Sequence, residues 1–94
     1  MLVLSEDHLV RFAALHADAR SALSAWLGDV RAASWGSPKE LKAKYPKASL
    51  IGSDHVVFDI RRGHYRLDTR ISFATGVVIV VRIGTHADYD RWTF

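Results

Sequence analysis

Three arginines, a histidine and a tyrosine are the residues of this 94-residue chain that point most directly to chemistry. Arg66 and Arg70 share the parity of one alternating segment, and Arg82 lies in the next such segment. A guanidinium presents a planar fork of N–H donors that matches the oxygens of a phosphate. His86 supplies an imidazole, a group that can act as a general acid or base, and Tyr89 follows it by one helical turn. These residue types predict a site that binds an anion and transfers a proton.

The arginines have two interpretations that the sequence leaves open. Arg66, Arg70 and Arg82 repel one another unless an anion lies between them, which favours a phosphate site. Alternatively, Asp59 and Asp68 neutralise them as ordinary cross-strand pairs, each of which contributes only about 0.2–1 kcal/mol. We therefore expect either a phosphate site or a set of ion pairs on this part of the chain.

Metal and cofactor chemistry finds no support in the sequence. The chain has no cysteine, which excludes thiolate zinc sites and cysteine nucleophiles. No Walker, Rossmann or G-x-S-x-G motif is present. We expect no metal and no cofactor. The remaining histidines are dispersed and are predicted to be structural: His8, His16, His55 and His64.

Positive charge is concentrated in the middle third of the chain. Residues 31–66 carry eight Lys and Arg against three Asp and Glu, and the sequence pI is about 9.6. This asymmetry predicts a polyanion or an acidic protein as partner, although a solvated basic face would look the same. The basic residues available to such a partner are Lys39, Lys42, Lys44, Lys47, Arg61, Arg62 and, from the arginine segment, Arg70.

Alternating apolar residues predict an antiparallel meander after residue 50. Its strands cover residues 55–60, 65–73 and 77–83, with turns at 61–64 and 74–76, and residues 1–4 add a short edge strand. A tight second turn would pair Ile71 with Ile79 and Asp68 with Arg82. Arg66 and Arg82 would then lie on the sheet face that points away from the apolar set.

Helical periodicity dominates the first half of the chain. Two helices over residues 5–16 and 18–33 are separated by a break near Ala17, with Gly28 as the alternative break. Ser37, Pro38 and Glu40 predict a capped short helix that ends before Pro46. The predicted fold is a single α+β domain over residues 1–94, with helices on one face of a small antiparallel sheet.

The order of the motifs resembles HigB-type toxins of type II toxin–antitoxin systems, which are RelE-like. The motifs are Ala33-Ser34-Trp35, Ser37-Pro38-x-x-Leu41-Lys42, Tyr65-Arg66-Leu67 and Gly84-Thr85-His86-Ala87-Asp88-Tyr89-Asp90. The resemblance implies a RelE-like fold and an mRNA endonuclease that usually works on the ribosome. It also implies a neighbouring helix-turn-helix antitoxin of the HigA type, through which alone the toxin would meet operator DNA.

The resemblance also implies site residues. Arg66, His86, Tyr89 and Asp90 match the family's motifs, and Arg82 lies in the strand that leads into the last of them. Two residues depart from the family pattern. His64 stands where relatives often have asparagine, and Asp68 stands where they usually have an aliphatic residue, which puts the strength of cleavage in doubt.

The implied reaction needs no metal, because the 2′-OH of the RNA attacks the adjacent phosphate. Arg66 and Arg82 would hold the phosphate, with Arg70 as a further candidate, and His86 and Tyr89 would transfer protons. The other basic residues named above would contact the RNA backbone. The alternatives are a ParE-like toxin that inhibits DNA gyrase without cleaving nucleic acid, and a non-toxic RNA- or protein-binding module. No apolar run approaches the length of a membrane span and no signal peptide is recognisable, so we expect a cytoplasmic protein.

Overall fold

The computed structural model describes residues 1–94 and contains five strands and four α-helices. A short 3-10 turn at Ala17–Ala19 joins the first two helices. In chain order the elements are β1 (Leu2–Leu4), α1 (Asp7–Leu15), α2 (Arg20–Ala32), α3 (Pro38–Lys44), β2 (Ser49–Ile51), β3 (His55–Ile60), β4 (Tyr65–Ser72), β5 (Val77–Thr85) and α4 (His86–Tyr89).

The five strands form one sheet in the order β1-β5-β4-β3-β2. Strands β2 to β5 form the predicted antiparallel meander. The expectation of a wholly antiparallel sheet is wrong in one respect, because the predicted edge strand β1 runs parallel to β5. No hairpin connects these two strands, so no turn dictates their relative direction. The short strand β2 was not predicted.

Helices α1, α2 and α3 cover one face of the sheet, which confirms the predicted α+β arrangement. Their apolar residues include Leu9, Trp26 and Leu41, which belong to the same buried cluster as Phe58 and Leu67 of the sheet. The break between α1 and α2 lies at residues 16–19, as predicted, and Gly28 lies inside α2. None of the helices has the length and apolar character needed to cross a bilayer.

A β-bulge in β5 reverses which alternate residues of the strand face the core. Ile71 pairs with Val78, so the predicted pair with Ile79 is wrong, whereas the predicted pair of Asp68 with Arg82 is confirmed. The register shifts at Asp68 and Thr69, which leaves Val81 without a partner on β4. Because a one-residue shift reverses the face of every following side chain, Val78 is buried in the core while Arg82 faces the other side.

Side-chain caps begin both short helices of the site region. The Ser37 hydroxyl accepts a hydrogen bond from the backbone N–H of Glu40, as predicted. The Glu40 carboxylate accepts from the N–H of Gly36 instead of Ser37, so the predicted capping box does not close. Thr85 and Asp88 form a complete capping box at the start of α4. This box fixes the direction in which the chain leaves β5.

Close packing of α4 on β5 requires glycine at position 84. A Cβ atom at Gly84 would lie 2.8 Å from both the Cβ and Oδ2 atoms of Asp88, and 3.1 Å from the Trp92 ring. Both contacts with Asp88 are shorter than van der Waals distance, and the Asp88 side chain is held by the cap. The approach of α4 to the sheet therefore depends on the missing side chain.

We predict that Gly84→Ala destabilises the protein by about 1–3 kcal/mol, because the added methyl group overpacks the contact. The matched control is Gly28→Ala, where nothing lies within 4 Å of the added Cβ. That change should stabilise the protein by about 1 kcal/mol, since alanine is the better helix former. Urea denaturation measures both free energies of unfolding. Equal effects of the two substitutions would contradict this account of Gly84.

Candidate active site

The candidate site lies on the sheet face opposite α1, α2 and α3, which we call the open face. Strand parity places alternate residues of β3, β4 and β5 on it, as the sequence predicted for β4 and for Arg82. Arg66 and Arg82 therefore point to the same side of the sheet. The charged and titratable side chains that these strands contribute to the open face are His55, Asp59, Arg66, Asp68, Arg70 and Arg82.

Each arginine of the open face has its own carboxylate partner, so the ion-pair interpretation of the sequence is confirmed. Two partners are the predicted Asp59 and Asp68, and the third, Asp54, was not predicted. The closest N–O distances are 3.3 Å for Arg66–Asp59, 2.6 Å for Arg70–Asp54 and 3.0 Å for Arg82–Asp68.

The pairing leaves donors on the two predicted catalytic arginines. Arg66 Nη1 donates to the carbonyl oxygen of Gly63 at 2.6 Å, and Arg82 Nη2 donates to that of Thr93 at 2.9 Å. Nη2 of Arg66 and Nη1 of Arg82 make no hydrogen bond within the protein. A phosphate on the open face would find these N–H groups unengaged, so ion pairing and phosphate binding do not exclude one another here.

Asp68 is the fully buried charged residue of the chain. One of its oxygens lies 2.9 Å from His55 Nδ1, and the other accepts a hydrogen bond from Arg82 Nε. The sequence predicted a structural role for His55, and its contact with Asp68 was not predicted. Strand parity contained the signal, because His55 alternates with Val57 and Asp59, and Val57 pairs with Asp68.

Three aromatic rings lie over the arginines, and we call Tyr89, Trp92 and Phe94 the aromatic cover. The Arg66 guanidinium carbon lies 5.5 Å from the centroid of the Tyr89 ring. The Arg82 guanidinium carbon lies 4.7 Å from the Trp92 ring and 5.0 Å from the Phe94 ring. Each contact is within the range of a cation–π interaction. The segment that follows β5 thus returns across the open face.

His86 lies at the rim of this arrangement. Its side chain is 58% exposed, and Nδ1 is 3.4 Å from an Asp90 carboxylate oxygen. Its ring centroid is 6.3 Å from that of Tyr89. Because Thr85 pairs with Tyr65 and His55 pairs with Arg70, the two histidines lie about 16 Å apart along β4. The structure joins Arg66, Arg82 and Tyr89 into one cluster and leaves His86 at its edge.

Hydrogen bonds keep two carboxylates near the site ionised. The hydrogen bond from the Arg70 guanidinium lowers the pKa of Asp54 below its usual range. The backbone N–H of Thr85 lowers the pKa of Asp88 in the same way, and the Thr85 hydroxyl adds to this effect. At neutral pH the Arg70–Asp54 pair is therefore charge-balanced, and the cap of α4 is intact.

Besides Arg70, two of the predicted RNA contacts have structural partners. The Lys42 ammonium group donates to the carbonyl oxygens of Pro46 and Ala48 at 2.8 and 2.6 Å, so it holds the loop after α3. Arg61 lies 3.2 Å from an Asp18 carboxylate oxygen. The structure thus gives Lys42 a positioning role that charge patterning did not indicate.

Three other predicted contacts surround one pocket of about 260 Å³. Lys44, Lys47 and Arg62 line it, are exposed, and form no ion pair. Asp59 also lines the pocket, and the same carboxylate binds Arg66. The pocket therefore adjoins the open face. Lys39, on α3, is also exposed and unpaired but does not line the pocket.

No three His, Asp or Glu side chains are close enough together to form a metal-binding cluster. The side chains that the open face offers to a ligand are guanidinium, imidazole, phenol and carboxylate groups. These groups bind anions and transfer protons. The geometry supports acid–base chemistry on a phosphate.

The sequence profile of HigB toxins, described as the RelE-like toxic component of a toxin–antitoxin system, matches residues 19–92. The chain belongs to the HigB toxin family. The resemblance stated from the motifs is confirmed, and the matched range contains Arg66, Arg82, His86 and Tyr89. No curated protein is significantly similar to this HigB-family chain. As a toxin of such a system, the protein has an antitoxin as its partner.

We predict that Asp68→Ala destabilises this HigB-family toxin by about 3 kcal/mol. This loss lies at the lower end of the stability cost expected for removing one partner of a buried ion pair. Arg82 keeps about a third of its side-chain surface exposed, so the pair is only partly shielded from water. Asp54→Ala is the matched control on the same face. It removes the partly exposed partner of Arg70 and should cost less than about 1 kcal/mol. Thermal and urea denaturation compare the two variants, and similar losses would contradict the distinction.

Proposed function

We propose that this HigB-family toxin is a metal-independent endonuclease that cleaves messages during translation in the cytoplasm. The observation that carries the proposal is the placement of Arg66 and Arg82 on one sheet face, each with an unengaged N–H group. A helix-turn-helix antitoxin of the HigA type would neutralise the toxin. Contact with operator DNA would then occur only through that antitoxin.

The proposed reaction uses the nucleophile of the RNA itself. The 2′-OH loses its proton and attacks the adjacent phosphorus, and a 2′,3′-cyclic phosphate forms as the 5′-oxygen leaves. Arg66 and Arg82 stabilise the negative charge that develops on the phosphate oxygens. His86, assisted by the nearby Tyr89, transfers a proton at the rim of the site. A DNA strand lacks the 2′-OH and should be inert.

The charge distribution suggests how RNA reaches the open face. Each aspartate balances the charge of its own arginine, so the open face itself exerts little long-range attraction on RNA. Lys44, Lys47 and Arg62 lack such partners, and the pocket that they line adjoins Asp59 and Arg66. We therefore assign the long-range attraction of RNA to this pocket and short-range phosphate recognition to the arginines.

We predict that expression of the toxin without antitoxin arrests growth, and that Arg66→Lys and His86→Ala relieve the arrest. Arg66→Lys keeps the charge but removes the planar fork, so its effect reports phosphate geometry. The control is Arg11→Lys, an exposed i,i+4 partner of Asp7 on α1, which should remain toxic. Immunoblots confirm equal soluble levels. Full toxicity of both site variants would overturn the assignment of these residues.

Mapping of message 5′ ends after induction separates the proposed activity from its alternatives. New breaks within coding regions support the nuclease. DNA-damage signalling without such breaks indicates a ParE-like inhibitor of gyrase instead. Harmless expression at a high level indicates a binding module with no toxicity. The last two results each contradict the proposal.

We predict that replacing Lys44, Lys47 and Arg62 together by alanine weakens RNA binding uniformly across sequences. The slope of log affinity against log salt should fall by about 2–3, because each lost phosphate contact contributes about 0.7–0.9. The matched control replaces Arg11, Arg20 and Arg31, which removes the same charge from α1 and α2. Fluorescence anisotropy at several salt concentrations measures both slopes. Equal reductions would show that only net charge matters.

A further inference from the structure

We infer that His55 is the general base of this site, positioned by the buried carboxylate of Asp68. The inference rests on the proposed nuclease activity and adds to it a residue on the opposite side of the open face from His86. It follows from one juxtaposition: a partly exposed imidazole and the phosphate-binding Arg82 bind the two oxygens of the same enclosed carboxylate.

The contact with Asp68 determines which ring nitrogen of His55 is free. A carboxylate only accepts hydrogen bonds, so Nδ1, at 2.9 Å from Asp68, carries the ring proton. The lone pair of the neutral imidazole then lies on Nε2. This is the arrangement in which an aspartate fixes the tautomer and orientation of a catalytic histidine. About a fifth of the His55 side chain is exposed, so the ring remains accessible.

The charged groups that face His55 are balanced in pairs, so the imidazole lies in surroundings with little net charge. Arg82, from β5, balances the charge of Asp68, from β4. Arg70 lies opposite His55 on β4 and is balanced by Asp54, which precedes β3. Ile51, its partner on β2, carries no charge. The protonated ring would be stabilised by Asp68 at hydrogen-bond distance, as an imidazolium is in an Asp–His pair.

The shared carboxylate also fixes the relation between the base and the phosphate. Arg82 uses Nε for Asp68 and keeps Nη1 unengaged, so a phosphate held there lies next to the histidine that binds the other oxygen of Asp68. The Phe94 ring contacts both groups, with its centroid 5.3 Å from that of His55. Its contact restricts water at the imidazole without enclosing it, since Phe94 is half exposed.

The proposed step is balanced in bonds and protons. Nε2 of His55 takes the proton of the 2′-OH as the P–O2′ bond forms and the P–O5′ bond breaks. The leaving 5′-oxygen takes its proton from His86, which the proposed function already places in proton transfer. With this division of roles, His55 must be neutral and His86 must be protonated for cleavage. In the pH dependence of the rate, the rising limb then reports His55 and the falling limb reports His86.

The test is single-turnover cleavage of a message on programmed ribosomes between pH 5.5 and 8.5. The wild-type rate should rise on the acidic side and fall on the basic side. His55→Ala should lower the rate by on the order of 10²–10⁴-fold and abolish the rising limb, and added imidazole should restore part of the rate. His86→Ala should keep the rising limb and lose the falling one. Asp68→Asn tests the positioning role, because the amide disturbs the tautomer and should also weaken the rising limb.

The outcomes distinguish this inference from the activity on which it rests. His8→Ala, on α1 at the other side of the sheet, is the control and should keep both limbs and the full rate. A His55→Ala variant with the wild-type profile overturns the inference and leaves the proposed nuclease intact. A wild-type protein that cleaves no RNA overturns both.

A measurement on the unaltered protein covers the case in which a variant does not fold. Diethylpyrocarbonate should acylate His55 and inactivate the toxin, and a bound message with a 2′-deoxy scissile nucleotide should protect both the residue and the activity. Mass spectrometry locates the modification. Complete acylation of His55 with full retention of activity would contradict the assignment.

Discussion

The carboxylate of Asp68 is enclosed by the sheet and by the segment that follows β5. The open face is organised around this carboxylate. Burial of an ion costs several kcal/mol unless partners compensate for lost hydration. Asp68 has two such partners, Arg82 on one oxygen and His55 on the other. Each partner can satisfy the carboxylate only in a narrow range of orientations. The need to satisfy one buried charge therefore positions a guanidinium and an imidazole.

The open face combines this positioning with near-neutral local charge. Each arginine has an aspartate beside it, so the cluster is stable without a ligand and does not depend on an anion to fold. The aromatic cover adds cation–π contacts to Arg66 and Arg82. Recognition of RNA on such a face would rely on geometry at short range, and long-range attraction would come from cations elsewhere. That separation suits a toxin whose chemistry must be specific.

Local rules in the sequence predicted the helices and the strands well, because the caps at Ser37 and Thr85 and the alternation along β4 are short-range signals. The HigB-type resemblance was confirmed for the same reason, since its motifs are local. The failures concern long-range pairing. Nothing in residues 49–51 indicates that they pair with β3, and no local pattern reveals that β1 runs parallel to β5. The site was predicted in part: Arg66 and Arg82 share a face, but His55 was missed because its importance comes from a partner thirteen residues away.

The bulge at Val81 has a consequence for how this strand tolerates change. The extra residue shifts the alternation of side chains. Even-numbered residues of β5 therefore face the core before Val81 and the open face after it. Valines in the first half are open to exchange for similar residues without disturbing Arg82. Deletion of Val81 would join Val80 directly to Arg82 and leave both on their present faces, because they already pair with the consecutive residues Thr69 and Asp68. Alignments of divergent relatives should therefore allow a one-residue gap at Val81 and should not rely on unbroken hydrophobic alternation through β5.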